Sequence, residues 1–326
     1  MGGKGRNIMI YAGIDLGGTT IKAALVTEKG EIICEKSIPT GAERPQREVV
    51  QDMANLVLEL VANQGLDIHD IESVGIGSPG SIDPVEGKVM FAANFADFRD
   101  VPVVSIMEET IPIPVYLEND ANVAALGEAI FGAGCGSKNC VAITLGTGLG
   151  GGIIIDGKIF SGAFFGGGEM GHQVLVADGL PCTCGRKGCW EVYSAATALI
   201  RMGRERAVKN IGSKMWEEVN GDLRKLNAKN VFDAAQAGDA PAQDAIAEYA
   251  HYLAIGLGNT INVFQPEYLI IGGGPSAQGD NLLNPVKEEM SKELFGGTSK
   301  TQVVIAKLGN KAGVIGAAML GKTREA

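Results

Sequence analysis

Two stretches of this chain, residues 9–26 and 141–155, follow one plan: an apolar run, a turn built from Gly and Thr, and a second apolar run. In the first, Met9 to Ile14 enters Asp15-Leu16-Gly17-Gly18-Thr19-Thr20 and leaves through Ile21 to Val26. In the second, Val141 to Leu145 enters Gly146-Thr147-Gly148-Leu149-Gly150 and leaves through Gly151 to Ile155. Runs this short, bounded by turn residues, pair as hairpins. The same hairpin opening each half implies an internal duplication, two α/β halves sharing a topology. A length of 326 residues agrees, because a single core seldom serves so long a chain.

The remaining pattern fills in both halves. Lys29-Gly30 turns the chain into a third strand, Ile32 to Ile38. Val49, Val50, Met53, Leu56, Val57, Leu60 and Val61 recur at helical spacing. Val74 to Gly77 reads as a strand running into Ser78-Pro79-Gly80, Val115 to Leu117 as another, and Asn119-Asp120 as the cap of a helix to about Phe131. In the second half, helical patterns cover 193–209, 231–238 and 241–264, and Leu269 to Ile271 is a strand ending in Gly272-Gly273-Gly274. A helix near 284–294, a strand at 302–306 and a helix at 312–321 complete the chain.

Composition narrows the function. Hydrophobic residues make up 45% and charged residues 20%, as in an ordinary globular protein. No apolar run is long enough to span a bilayer, and Met1 to Asn7 is polar and Gly-rich rather than a signal sequence, so no membrane association is expected. A net charge of −10 without a basic stripe excludes a nucleic-acid partner. The locally basic stretch 201–209 reads as a solvated helix face.

Each Gly-Thr turn has two readings, a plain tight hairpin or an anion nest in which successive N–H groups converge. Thr19 and Thr20 add hydroxyl donors, and Asp15 at the strand end could place a magnesium ion through water. Two such turns, one per half and one beside a carboxylate, favour phosphates clasped by both. Neither a P-loop nor a dinucleotide fingerprint is expected, the first turn running into a strand where the fingerprint needs a helix. Gly272-Gly273-Gly274 would let a flat heterocycle or a sugar lie against backbone.

Two further groups carry chemistry. His172, Cys182, Cys184 and Cys189, spaced H-x9-C-x-C-x4-C, are the ligand set of a closed structural zinc site. A disulfide with a spare thiol is the competing reading, disfavoured because nothing else suggests export. The acidic Glu169 and Glu191 bracket the ligands. Cys34, Cys135 and Cys140 read as plain reduced thiols. Asp120 follows a strand beside Glu118 and Asn119, where open α/β sheets hold their ligands. It is either a helix N-cap or a base that takes a proton from an attacking hydroxyl.

In order along the chain, Asp15-Leu16-Gly17-Gly18-Thr19, Glu118-Asn119-Asp120-Ala121-Asn122, Leu145-Gly146-Thr147-Gly148, Glu169-Met170-Gly171-His172 and Cys182-Thr183-Cys184-Gly185 … Gly188-Cys189 resemble the bacterial glucokinases of the ROK group (repressors, open reading frames, kinases). The resemblance runs from about residue 9 to the C-terminus. It implies an α/β, two-domain actin-like ATPase (ribonuclease H-like) fold with an interdomain cleft, and γ-phosphoryl transfer from Mg-ATP to the 6-hydroxyl of glucose. Residues 1–118 plus 311–326 would form a small N-terminal domain, and 119–310 a larger one carrying the zinc segment. Asp120 would be the general base. Gly80, Asn94, Asn119, Asp120, Glu169, His172 and Glu191 would bind the sugar. Asp15, Gly17, Gly18, Thr19, Thr20, Thr147 and Gly148 would hold the magnesium-bound phosphates, with Gly273 and Gly274 bordering the adenosine. His172 would place one ring nitrogen on Zn2+ and offer the other to the sugar. A cytoplasmic homodimer acting in carbohydrate metabolism is implied as well.

The chain departs from the glucokinase pattern at two places. Phe95-Ala96-Asp97-Phe98 replaces the Leu-Gly-Trp run that follows Asn94 in relatives, and Gln173-Val174 follows His172. Kinases of N-acetylglucosamine or N-acetylmannosamine share the zinc segment and form the first alternative; Ser78-Pro79-Gly80 favours glucose. A sugar-sensing regulator would need a DNA-binding segment ahead of the first strand, and an actin-like structural ATPase has no use for the zinc segment.

Overall fold

The computed structural model of the chain describes residues 8–324. The polar start read over Met1 to Asn7 lies outside the described residues. Strand β1 (Ile10–Leu16) is apolar on both faces because it sits inside a sheet. It turns into β2 (Thr20–Thr27), its antiparallel partner, which pairs in turn with β3 (Ile32–Pro39). β3 is an edge strand and carries the exposed run Glu35-Lys36-Ser37, charge that blunts edge-to-edge pairing. All seven apolar positions expected of α1 (Gln46–Asn63) are buried, and they share one core with Ile14, Leu16 and Ile21 of the sheet.

β4 (Ile71–Ser78) lies parallel to β1, so the intervening helix supplies the crossover that parallel strands require. Next comes a three-stranded antiparallel sheet, β5 (Ser81–Asp83), β6 (Lys88–Phe91) and β7 (Arg99–Val101). Sequence patterning does not reveal it, because strands of three or four residues are too short to display alternation. After α2 (Val103–Glu108), β8 (Val115–Asn119) pairs parallel with β4 and completes a five-stranded sheet of order β3-β2-β1-β4-β8. It runs directly into α3 (Asp120–Ile130).

The second hairpin, β9 (Cys140–Leu145) and β10 (Leu149–Ile155), is extended by β11 (Lys158–Ile159). Helices α4 (Glu191–Ser194), α5 (Ala196–Lys209), α6 (Met215–Glu218), α7 (Ala228–Gln236) and α8 (Ala240–Phe264) follow the cysteine segment. β12 (Tyr268–Gly273), α9 (Asp280–Met290) and β13 (Gln302–Ile305) complete the second sheet, of order β11-β10-β9-β12-β13. β12 is parallel to both β9 and β13. The spacing Gly146-x-Gly148-x-x-Gly151 fits a dinucleotide fingerprint, but a strand follows it, as with the first turn.

The chain then returns to the first sheet. α10 (Ala312–Ala318) and α11 (Leu320–Arg324) pack on β1, β4 and α3. Glycines make that packing possible. A Cβ on Gly13 would lie 2.0 Å from the Val314 carbonyl, one on Gly75 1.8 Å from the Ala317 carbonyl, and one on Gly316 1.7 Å from the Val123 carbonyl. The buried Glu128 of α3 anchors the return, accepting the N–H groups of Lys307 at 3.0 Å, Leu308 at 2.6 Å and Ala133 at 2.9 Å. Here the exclusion of a P-loop needs a different ground. Gly316 to Thr323 does fit the G-x-x-x-x-G-K-[ST] spacing, yet it is folded into α10 and α11, not a loop.

The chain forms two compact units. One holds the described residues through Asn139, Gly152–Gly168 and the chain from Lys307 onward; the other holds Cys140–Gly151 and Glu169–Ala306. The first unit therefore extends past the expected border at residue 118, because α3 packs most heavily on α10, which belongs to it. Among the described residues no helix is long and apolar enough to cross a membrane.

Candidate active site and metal centre

In the first unit, the chemistry-bearing residues gather at the C-terminal ends of β1, β4 and β8. Asp15 is the cross-strand partner of Lys22 and lies beside Gly77 of β4. Burial pushes the Asp15 carboxyl above its usual range, with Lys22 pulling the other way. Gly313, at the start of α10, comes so near that its absent Cβ would stand 3.1 Å from Asp15 Oδ2. The turn after Asp15 is held from outside by Thr40, which sequence reasoning missed. Its hydroxyl donates to the Gly17 carbonyl at 2.6 Å and its N–H to the Thr19 carbonyl at 3.0 Å. Gly17 N–H closes the turn on the Thr20 carbonyl at 3.0 Å. Gly18 has room for no large side chain, because its missing Cβ would meet the Asn94 Cβ at 3.3 Å. Asn94 thus borders the Gly17–Thr20 turn.

At the end of β8 the two readings of Asp120 separate. Asn119, not Asp120, is the N-cap of α3, its side-chain oxygen accepting the N–H groups of Ala121 at 2.9 Å and Asn122 at 3.3 Å. Its amide nitrogen donates to the Gly80 carbonyl at 3.2 Å. Gly80 sits at φ +97, with its absent Cβ 2.1 Å from the Phe91 carbonyl, so only glycine fits there. The buried Glu118 accepts from Asn119 N–H at 2.9 Å and Asn122 Nδ2 at 3.1 Å and stiffens the corner. Asp120 takes the first helical position, with Oδ1 2.8 Å from the Ala121 nitrogen. A carboxylate at a helix start is favoured by the exposed N–H groups there.

In the second unit, the Gly146–Gly148 turn is gripped by neighbouring chain. Gly146 N–H donates to Gly148 at 2.9 Å, Ala196 N–H to the Gly146 carbonyl at 2.9 Å, and the Thr197 hydroxyl to the Thr147 carbonyl at 2.8 Å. Gly273, at the end of β12, has φ +89, and its absent Cβ would stand 2.1 Å from the Leu145 carbonyl. Gly274 has nothing within 4 Å of the corresponding point, so its face is open. A cavity of about 790 Å³ starts at Thr197 and runs along α5 past Arg201 and Arg204.

His172, Cys182, Cys184 and Cys189 converge as their spacing implies, their ligand atoms all within 4.8 Å of one another. Cys184 Sγ lies 3.7 Å from Cys189 Sγ, and Cys182 Sγ 3.6 Å from His172 Nδ1. A tetrahedral zinc ion with ordinary bond lengths needs about 3.8 Å between sulfurs and about 3.6 Å between sulfur and nitrogen. The donors therefore fit zinc, and a disulfide is absent from the cluster. Burial and the neighbouring thiols push the Cys189 thiol up to about 12. Nδ1 faces the sulfurs, so Nε2 is the ring nitrogen left for another partner. Glu169 precedes the short helical turn of Met170 to His172. Glu191 has its carboxylate aimed at the Gly146–Gly148 turn and at Cys182, with Oε2 3.0 Å from the Leu149 nitrogen and Oε1 3.7 Å from Cys182 Sγ.

The chain is 38% identical to the glucokinase of Halalkalibacterium halodurans, covering 97% of this chain and 96% of that protein. It superimposes on a ROK glucokinase from Streptomyces griseus, solved with glucose and AMPPNP, with a TM-score of 0.78 at 38% identity, covering 96% of this chain and 99% of the other. It is also 31% identical to a xylose repressor of Caldicellulosiruptor bescii, covering 93% of this chain and 76% of the repressor. The fold is the two-domain actin-like ATPase fold of the ROK sugar kinases. The ROK family model matches residues 11–324, and the chain belongs to that family.

Proposed function

We propose that this chain is an ATP-dependent hexose kinase that transfers the γ-phosphoryl group of Mg-ATP to the 6-hydroxyl of glucose. The observation that carries the reading is the division of labour at the end of β8. Asn119 is the N-cap of α3, and Asp120 follows it at the first helical position with Oδ1 accepting the Ala121 N–H. Asp120 would accept the hydroxyl proton as the oxygen attacks phosphorus in line, with no phospho-enzyme. The protein's contribution is positioning and charge stabilisation. Asn94, Asn119, Glu169 and His172 would orient the sugar, with Gly80 passing close to it. Asp15, Gly17, Gly18, Thr19, Thr20, Thr147 and Gly148 would hold the phosphates and Mg2+, with Gly273 and Gly274 beside the adenosine. The zinc held by the Cys3His set would be structural, since protein atoms fill all four positions. Glu191, expected among the sugar ligands, also reaches the Leu149 N–H and the Cys182 thiol and keeps acceptor sites for a sugar hydroxyl. The homodimer and the cytoplasmic setting rest on the family resemblance.

A coupled ADP-release assay tests the reading with Mg-ATP and glucose, N-acetylglucosamine, N-acetylmannosamine, mannose and fructose. The highest kcat/KM belongs to glucose. Preference for an N-acetyl sugar keeps the mechanism and moves the substrate to the alternative kinase class. Sugar binding without any turnover moves the chain to the sensors, a class represented among its relatives by the xylose repressor.

A further inference from the structure

We infer that Glu191 is a positioning residue that transmits the state of the Cys3His loop to the Gly146–Gly148 turn, and so sets how tightly the chain holds a magnesium nucleotide. The inference rests on the kinase reading above and concerns residues of one unit only. Glu191 opens α4 two residues after the ligand Cys189, and its base is rigid. Trp190 is fully buried, pressed on α8 where a Cβ at Gly256 would stand 2.0 Å from the indole. The backbone N–H of Trp190 donates to the carbonyl of Gln173, the neighbour of His172, at 2.7 Å. The Tyr249 hydroxyl donates to the Ser194 carbonyl at 2.8 Å.

From that base the carboxylate spans two features. Oε2 accepts the Leu149 N–H at 3.0 Å, and it occupies the place where a side chain on Gly148 would begin, 2.2 Å from the missing Cβ. Oε1 lies 3.7 Å from Cys182 Sγ, so the carboxylate touches a metal ligand as well as the turn. Within the turn, Gly146 N–H is consumed by Gly148 and Leu149 N–H by Glu191. Among the described residues, no hydrogen bond within the protein takes the N–H groups of Thr147 and Gly148 in this turn. Glu191 thus fixes the peptide next to the two amides offered to an anion. Its bond is charge-assisted, the stronger kind. A carboxylate placed behind a phosphate turn is a poor choice as a phosphate ligand and a good one as a strut.

The experiment measures binding of Mg-AMPPNP and, separately, of glucose by titration calorimetry, together with zinc content by mass spectrometry. It compares wild type with Glu191→Ala and Glu191→Gln, each metal-loaded and each chelator-treated with the fold checked by circular dichroism. Glu191→Ala weakens Mg-AMPPNP roughly tenfold or more while keeping its zinc. Glu191→Gln retains a carbonyl acceptor for Leu149 and stays within about threefold of wild type. Removing the metal weakens Mg-AMPPNP in wild type and adds little in Glu191→Ala. If the alanine variant does not fold, Glu191→Asp, one methylene short of Leu149, carries the same expectation. Unchanged Mg-AMPPNP affinity in the variant, with or without a fall in glucose affinity, overturns the inference. So does an equal effect of metal removal in wild type and variant. Wild-type protein that binds no Mg-AMPPNP defeats the kinase reading itself, a distinguishable failure.

Discussion

Asp120 and Asp15 show how one residue type is put to different uses by its surroundings. Asp120 sits at the first position of α3 with its neighbour Asn119 performing the capping. Asp120→Asn preserves that corner and should leave sugar affinity nearly unchanged while lowering kcat roughly 10²-fold or more, read by steady-state kinetics. Near-normal turnover in the variant removes Asp120 from the mechanism. Asp15 bears a folding cost. Its carboxyl is raised above the ordinary 3.8 mainly by burial, so the folded chain disfavours the ionised form. The cost is absent below the unfolded value, appears as pH rises through it, and is complete above the raised folded value. Asp15→Asn should therefore raise Tm at pH 7 in the absence of nucleotide, with no gain at pH 3. Its affinity for Mg-ADP should fall in the same preparation. A lower Tm at pH 7 contradicts this account, in which the carboxylate is retained for its ligand at the expense of stability.

At the scale of elements, α10 is the most sensitive packing point in the first unit. Its backbone meets that of β1, β4 and α3 through glycines, leaving no layer of side chains to adjust. Gly316→Ala places a methyl against the Val123 carbonyl, where the ideal position is only 1.7 Å away. It should destabilise the protein by about 2 kcal/mol or more in urea unfolding. Leu60→Ala in α1 creates a cavity instead and should cost about 2–5 kcal/mol. The two substitutions are far apart in type. The first overpacks backbone and the second empties side-chain volume, so only Leu60→Ala should be rescued by an enlarging substitution nearby. The Glu128 carboxylate works at the same scale, holding the start of the return by two backbone N–H groups and the chain after its own helix by a third.

For the molecule as a whole, the Cys3His loop is expected to stabilise the fold through the zinc ion proposed for it. The protein as isolated should hold about one zinc ion per chain by elemental analysis. Chelation, or Cys184→Ser, should lower Tm by roughly 5 °C or more, because a closed metal site contributes directly to folding. Unaltered Tm together with an absence of zinc argues against a structural ion. The long helix α8 carries the effect inward, since Trp190 of the loop is packed on its Gly256.

Much of this was legible in the residues themselves, and the limits are instructive. The hairpins of β1–β2 and β9–β10, the apolar face of α1 and the convergence of His172 with three cysteines follow from short-range rules: turn chemistry, helical period and ligand spacing. The sheet of β5 to β7, which supports Gly80 and leads to Asn94, left no such trace, because its strands are held by pairing with one another and not by a periodic pattern. Gly316 to Thr323 carries the letters of a phosphate loop, and only the packing of α10 turns them into helix. The partners of Glu191, Glu128 and Thr40 lie 42, 179 and 23 residues away along the chain. Sequence alone determined which groups could do chemistry and where the chain would turn. Tertiary structure alone decided which distant donors Glu128 and Glu191 would meet, because that choice depends on long-range packing that no local pattern encodes.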